Sequence, residues 1–160
     1  MEQIDLTSKT EEVITFYSDM VFKLACAKCG NSIDAEDVFQ DVFLRYINKN
    51  PKFESEEHRK AWLIRVTINC SKKVLSSPWR KRTEPLNKNV LVNAEYTDEL
   101  YYELKKLPQK YREVIHLYYY QDMPVDEIAK MLGKRSGTVR TQLNRAREIL
   151  KKFMKEEDYV

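Results

Sequence analysis

Apolar residues recur along this chain at intervals of three and four. Val13, Tyr17, Val21, Leu24 and Lys28 mark one such stripe, widened by Ile14 and Ala25, and predict an amphipathic helix from Thr10 to Lys28 that Gly30-Asn31 ends. A second stripe, Ala35, Val38, Phe39, Val42, Phe43 and Tyr46, predicts a helix opened at Asp34, with Asp37 placed as in a capping pair, and running to about Asn48. Asn50-Pro51 breaks the chain, and Glu56 to Leu75 reads as a third helix with Trp62, Leu63, Val66 and Cys70 on its apolar face. Ser76-Ser77-Pro78 stops it.

Beyond Thr83 the pattern changes. The polar stretch to Thr97, with Pro85, Asn87, Asn89 and Asn93, holds no sustained helical period apart from a short apolar patch at Val90 to Val92, and reads as a linker. Leu100, Leu104 and Leu107 then precede Pro108, which opens a helix carrying Tyr111, Val114, Ile115 and Tyr118. Pro124 to Leu132 predicts a short helix with Val125, Ile128, Ala129 and Leu132 inward. Gly133 follows, Ser136 is placed as an N-cap, and Gly137 to Phe153 predicts a longer helix whose inner face is Val139, Leu143, Ala146 and Leu150. Small Ala129 at the crossing, Gly133 at the turn and Val139 sealing the second helix on the first are the spacing of a helix-turn-helix. The expected fold is therefore all-α: two small helical domains, residues 1–82 and 98–160, joined by a short linker at 83–97, the C-terminal one a helix-turn-helix domain.

Composition agrees. In 160 residues there are only 3 Gly and 5 Pro, leaving little material for turns, while 33% of residues are charged. Charge breaks the apolar runs around Leu63 and Leu117 within a few positions, so no stretch reaches the roughly 20 residues of a membrane span. The acidic start, Met1-Glu2-Gln3-Ile4-Asp5, is unlike a signal peptide, and the expected location is the cytoplasm. Cys26, Cys29 and Cys70 are odd in number and read as free thiols of a reducing compartment.

The net charge of +3 hides a strong asymmetry. Arg59, Lys60, Arg65, Lys72, Lys73, Arg80, Lys81 and Arg82 fall in a stretch without a single acid, and Lys134, Arg135, Arg140, Arg145, Arg147, Lys151 and Lys152 are opposed only by Glu148. Two basic segments on two modules predict a nucleic-acid duplex gripped at two places, through release of phosphate counterions. The alternative for either segment alone is a solvated helix face.

Enzymatic chemistry finds no support. There is no Gly-rich phosphate loop or nucleophile motif, and His58 and His116 are the only histidines. Cys26-Ala27-Lys28-Cys29 is a lone CxxC at a helix end; zinc would need two more paired ligands, and thioredoxin-like chemistry a preceding strand. Thiols packed in a helical core are the simpler reading. No cofactor, metal site or catalytic residue is expected.

Two motifs resemble one family. Asp34-Ala35-Glu36-Asp37-Val38-Phe39-Gln40-Asp41-Val42-Phe43 looks like the acidic helix of bacterial sigma factors, and Leu107-Pro108 through Leu150, with Tyr111-Arg112-Glu113-Val114, Glu127-Ile128-Ala129, Gly137-Thr138-Val139 and Arg145-Ala146-Arg147, resembles their C-terminal domain. The two-domain length is similar to the extracytoplasmic function (ECF) group of the sigma-70 family, over about Phe16 to Leu150.

The resemblance implies a transcription initiation factor that binds core RNA polymerase through the β′ coiled coil and the β subunit, recognises promoter DNA, assists its melting and has an anti-sigma partner. Glu36, Asp37, Gln40, Asp41 and Leu44 would dock on polymerase. Arg65, Asn69, Lys72, Lys73, Arg80, Lys81 and Arg82 would hold the minus-ten element, with Lys and Arg tracking the backbone of an opened strand. The family pattern survives as Trp62-Leu63 to Asn69, but Lys73 stands where an Asp is common. Trp62 reads as core; Trp79 is open to packing or to nucleic acid. Arg140, Thr141, Asn144 and Arg145 would face the minus-thirty-five duplex, with Lys134, Arg135, Ser136 and Thr138 on its backbone. Two rival functions remain at this stage. A stand-alone helix-turn-helix repressor would bind operators as a dimer, although no dimerisation helix is evident. An interaction protein that only titrates polymerase or an anti-sigma factor would have no use for both basic segments.

Overall fold

The computed structural model describes residues 4–77 and 104–158, with side chains up to residue 153. The chain divides into two compact units, Met1–Lys88 and Asn89–Val160. All regular structure among the described residues is helical.

The first unit is a bundle of α1 (Thr10–Cys29), α2 (Ser32–Lys49) and α3 (Glu56–Leu75), each packed on the other two. Their apolar stripes meet as the spacing predicts. Val13, Val21 and Leu24 of α1, Ala35, Val38 and Val42 of α2 and Leu63 of α3 are wholly buried, and Ile64, Ile68 and Cys70 nearly so. Burying a Leu or Ile of this kind contributes roughly 1.5–3 kcal/mol, which is why the stripes and not helix propensity fix the bundle. Thr67 and Ser71 are also buried; each hydroxyl donates to the carbonyl one turn back, Leu63 at 2.6 Å and Thr67 at 2.7 Å, so neither adds an unsatisfied group.

Helix ends correct two details. Asn31, not Asp34, caps α2: its side chain accepts from the Asp34 amide at 2.8 Å, while its Nδ2 donates to the Asp34 carboxylate at 2.9 Å. The reciprocal pair is therefore Asn31 with Asp34, and Asp37 is left on the exposed surface. Trp62 is only half-buried, because it lies at the edge of an aromatic cluster and packs edge-on against Tyr46 at 5.8 Å and Phe53 at 6.0 Å. Under that cluster sits Arg59, almost fully buried, paired with Glu56, donating to the Asp5 carbonyl at 3.2 Å and lying 5.4 Å from the Phe53 ring centre. Glu56 also accepts from the Tyr17 hydroxyl at 2.8 Å, so one charge pair ties α1, α3 and the N-terminal segment together.

In the second unit α4 (Gln109–Ile115) runs into a π-helical segment, His116–Tyr120, followed by α5 (Val125–Leu132) and α6 (Ser136–Asp158). α4 and α5 both pack on α6. The wider π turn turns His116 and Leu117 inward and leaves Tyr119 half-exposed, with Tyr118 and Tyr120 partly covered and none of the three tyrosines fully buried. Gly133 ends α5 at φ 66°, in the left-handed region that favours glycine, and the Lys134 amide returns to the Ala129 carbonyl at 2.8 Å. Val139, Leu143, Ala146 and Leu150 of α6 face Ile128, Ala129, Val114 and Ile115 in a shared core. Ser136 does not cap α6: it begins the helix, and its hydroxyl donates to Asp126 of α5 at 2.6 Å.

Candidate nucleic-acid and partner interface

α2 shows its polar side to solvent. Glu36, Asp37, Gln40 and Leu44 are exposed, whereas Asp41 is partly covered and engaged. The Asp41 carboxylate accepts from Arg45 Nε at 3.2 Å and from the Cys70 thiol of α3. Burial works to raise its pKa, but the thiol and the guanidinium outweigh that and hold it below the ordinary carboxylate value. On the other side, burial and this hydrogen bond push the Cys70 thiol up to about 11. Asp41 is thus part of the α2 and α3 packing, and Asp37 is the freer acid. The same face carries two residues absent from the sequence-based set: Ile33 (46% exposed) and Ile47 (51%) flank Leu44 (56%). At about 100° per residue, Ile33, Gln40, Leu44 and Ile47 fall on one strip, with Glu36 and Asp37 at its sides. The signal was present, since an apolar residue out of phase with the core stripe is a candidate contact, but alone it is indistinguishable from an ordinary exposed Ile.

On α3 the basic residues share one face. Arg65, Asn69 and Lys72 recur at four and three and are exposed, and their side chains make no hydrogen bond or ion pair with a described residue. Lys73 lies a quarter-turn round, near Asp41. Trp79, Arg80, Lys81 and Arg82 lie outside the described residues. Cys26, Cys29 and Cys70 are all buried and none is in a disulfide, the setting of thiols in a helical core. Among the described residues no group of acids, histidines and cysteines is arranged to hold a metal, and no helix is long and apolar enough to cross a membrane.

α6 carries the third face. Gly137, Thr138, Arg140, Thr141, Asn144 and Arg145 are exposed, Arg135 lies just before the helix, and the Thr141 hydroxyl donates back to the Gly137 carbonyl at 3.0 Å. Several of its groups are held by neighbours. Arg147 donates to the Tyr119 hydroxyl at 2.7 Å and to Asn144 at 3.1 Å, with its guanidinium 5.5 Å from the Tyr118 and Tyr119 ring centres. The Arg145 guanidinium beside the Tyr111 hydroxyl holds that phenol below its ordinary pKa. Lys134 turns inward: its ammonium meets the buried Glu113 carboxylate at 2.8 Å and Gln142 Oε1 at 3.2 Å, latching α4, the turn and α6 together. A lysine selected from sequence as a backbone contact is therefore engaged inside the unit. Its partner, twenty-one residues earlier, could not be read without knowing that α4 packs on α6.

A helical unit with an exposed basic helix, and a second built as a helix-turn-helix with a basic outer face, define a DNA-binding transcription protein. Residues 13–81 match sigma-70 region 2, and residues 97–150 match sigma-70 region 4. The chain is 30% identical to the RNA polymerase sigma-E factor of Streptomyces coelicolor, over 85% of this chain and 80% of that protein. It is 28% identical to the ECF RNA polymerase sigma factor SigW of Bacillus subtilis, over 91% of this chain and 88% of the relative. Among solved structures, the fold is similar to that of the sigma factor RpoE in complex with the anti-sigma factor NepR from Bartonella quintana (TM-score 0.67, 21% identity, 91% of this chain and 96% of that one). It is likewise similar to CnrH in complex with the cytosolic domain of CnrY (TM-score 0.60, 22% identity, 92% and 88%). The chain belongs to the sigma-70 family of RNA polymerase sigma factors, in its ECF group. It is a promoter-specific transcription initiation factor and not an enzyme.

Proposed function

We propose that the three faces divide the work of initiation. The α2 strip of Glu36, Asp37, Gln40 and Leu44, with Ile33 and Ile47, docks on the β′ coiled coil of core RNA polymerase, and the second unit meets the β subunit. An apolar strip edged by acids fits a partner that is helical and basic: the apolar groups supply buried area and the acids set orientation and association rate. The α3 face, with Arg65, Asn69, Lys72 and Lys73, holds the minus-ten element as it opens, helped by Arg80, Lys81 and Arg82, which lie outside the described residues. Cations there follow the backbone, and Asn69 offers both donor and acceptor to an unpaired base edge. Arg140, Thr141, Asn144 and Arg145 enter the major groove of the minus-thirty-five element, with Arg135, Thr138 and the start of α6 near phosphate. Ser136 and Lys134, being engaged with Asp126 and Glu113, act by shaping the turn.

The observation that carries this reading is the match of two family regions, in order, to two units that each expose a basic helical face. Two weak DNA contacts on one chain become strong together, because the second is intramolecular once the first has formed. An anti-sigma partner would act by covering one of these faces; the RpoE and CnrH structures each contain a bound partner, which supports such regulation here. The test is transcription from a genomic fragment library with core polymerase, with and without this protein, followed by sequencing of transcript starts. New starts preceded by two spaced motifs are expected. Polymerase binding without new starts would replace this reading with that of a titrating protein, and duplex binding without polymerase binding with that of a repressor.

A further inference from the structure

The outward face of α6 does not end at the helix. Beside its first two turns lies a cleft of about 490 Å³, walled on one side by Thr138, Thr141 and Arg145 and on the other by Lys110 and Tyr111 of α4. Two cations and three hydroxyl groups line it, and no carboxylate does. The nearest acid on α4, Glu113, is buried and held by Lys134. Gly137 forms part of the wall, and a Cβ placed there would meet nothing within 4 Å, so the approach over it is open. Lys110 is exposed, with its ammonium 5.0 Å from the Tyr111 ring centre, which gives the side chain a preferred resting place at the mouth of the cleft. Arg140 and Arg145 stand about 140° apart around α6, so only Arg145 borders this side.

We infer that Lys110 is a phosphate contact to the strand flanking the minus-thirty-five element, and that Tyr111 is a positioning residue that aims Arg145. This rests on the duplex-reading role proposed above. With α6 in the major groove, the sugar-phosphate ridge bordering that groove lies beside the helix, and a cleft lined by cations and hydroxyls without acids has the chemistry to receive it. Lys110 supplies the charge and the Thr138 hydroxyl a donor. Tyr111 is more than nine-tenths buried and lines the cleft together with Arg145, so its fixed hydroxyl offers an acceptor to a guanidinium that would otherwise sample many rotamers. A base reader must be held in a narrow geometry to discriminate.

The test uses holoenzyme reconstituted with full-length protein and a promoter fragment obtained from the start mapping. Binding is measured across a salt series for wild type, Lys110→Ala, Lys110→Arg and Tyr111→Phe, on duplexes each carrying one neutral methylphosphonate around the minus-thirty-five element. Lys110→Ala is expected to weaken binding about fivefold for every sequence and to lower the salt slope by about 0.9, with recovery in Lys110→Arg. Its loss should vanish on the one duplex whose contacted phosphate is already neutral. Tyr111→Phe should leave the salt slope in place while relaxing base preference at a single position, the same position relaxed by Arg145→Ala; a merely structural Tyr would lower the melting temperature and relax none. Equal salt slopes for Lys110→Ala and wild type, or a loss that persists on every neutralised duplex, would overturn the Lys110 assignment. Unchanged base preference in Tyr111→Phe would overturn that of Tyr111. A wild-type holoenzyme indifferent to the minus-thirty-five sequence would overturn the underlying reading, and that result is visible before any variant is compared.

Discussion

The basic faces of α3 and α6 carry similar charge and are built differently. On the exposed face of α3 two cations stand alone: Arg65 and Lys72 extend from a regular helix into solvent with no side-chain partner among the described residues, while Lys73 lies near Asp41. On α6 and its approach three cations are engaged, Arg147 by Tyr119 and Asn144, Arg145 beside Tyr111, and Lys134 by Glu113 and Gln142, while Arg135 and Arg140 are exposed with no side-chain partner among the described residues. Freedom suits a surface that follows a strand whose path changes as it melts, because a flexible cation can track phosphate without a fixed register. Constraint suits a surface that must tell one base pair from another, since rotamer freedom in a reader blurs the difference between right and wrong partners. Under the proposed division of work, like charge densities would serve unlike tasks.

That contrast can be broken most severely at the latch. Lys134→Met deprives the buried Glu113 carboxylate of its 2.8 Å partner and should destabilise the second unit by about 3 kcal/mol, read as a shifted urea midpoint. Pairing it with Glu113→Gln should restore most of that loss, because the carboxylate that has lost its ammonium partner goes with it; failure to restore would mean the latch is not a charge pair. On the reading face itself, Arg145→Ala should cost about 2 kcal/mol of discrimination at one minus-thirty-five position while polymerase binding is retained, measured by competition between promoter variants. If polymerase binding falls with it, the substitution has damaged the fold.

Smaller effects sharpen the comparison from the side of the first unit. The Cys70 thiol is raised from 9.0 to about 11 in the folded chain, so its contribution is complete below pH 9 and is lost as pH rises through 11. The unfolding midpoint of wild type should accordingly fall more steeply over that window than that of Cys70→Ala. Parallel curves would mean that neither burial nor the Asp41 carboxylate raises the thiol. Smallest should be Arg65→Ala or Lys72→Ala: each is expected to weaken single-strand binding by less than about 1 kcal/mol, evenly across sequences, and to lower the salt slope by about 0.7. A sequence-dependent loss from either would make α3 a reader after all.

The three apolar stripes of the first unit and the Ala129, Gly133, Val139 spacing of the second determine all-helical bundles, because a helix with one apolar face has few ways to bury it. Those signals are local, and so they are visible in a linear string. The same locality made the basic and acidic faces legible. Which member of a face is available was decided by residues far away in sequence. Asp41 is engaged by Arg45 one turn on and, across the helix packing, by Cys70 of α3, and Lys134 because Glu113 lies across from it on α4. The α2 cap belongs to Asn31 because its side chain reaches the Asp34 amide, a contest that several polar residues near a helix start could have won. Lys110, one lysine among many in the sequence, gains its place from a cleft that exists only where α4 rests on α6. Periodicity is a property of neighbours along the chain, and the sequence alone determines it. Pairing of charges is a property of neighbours in space, and only the packed helices decide it.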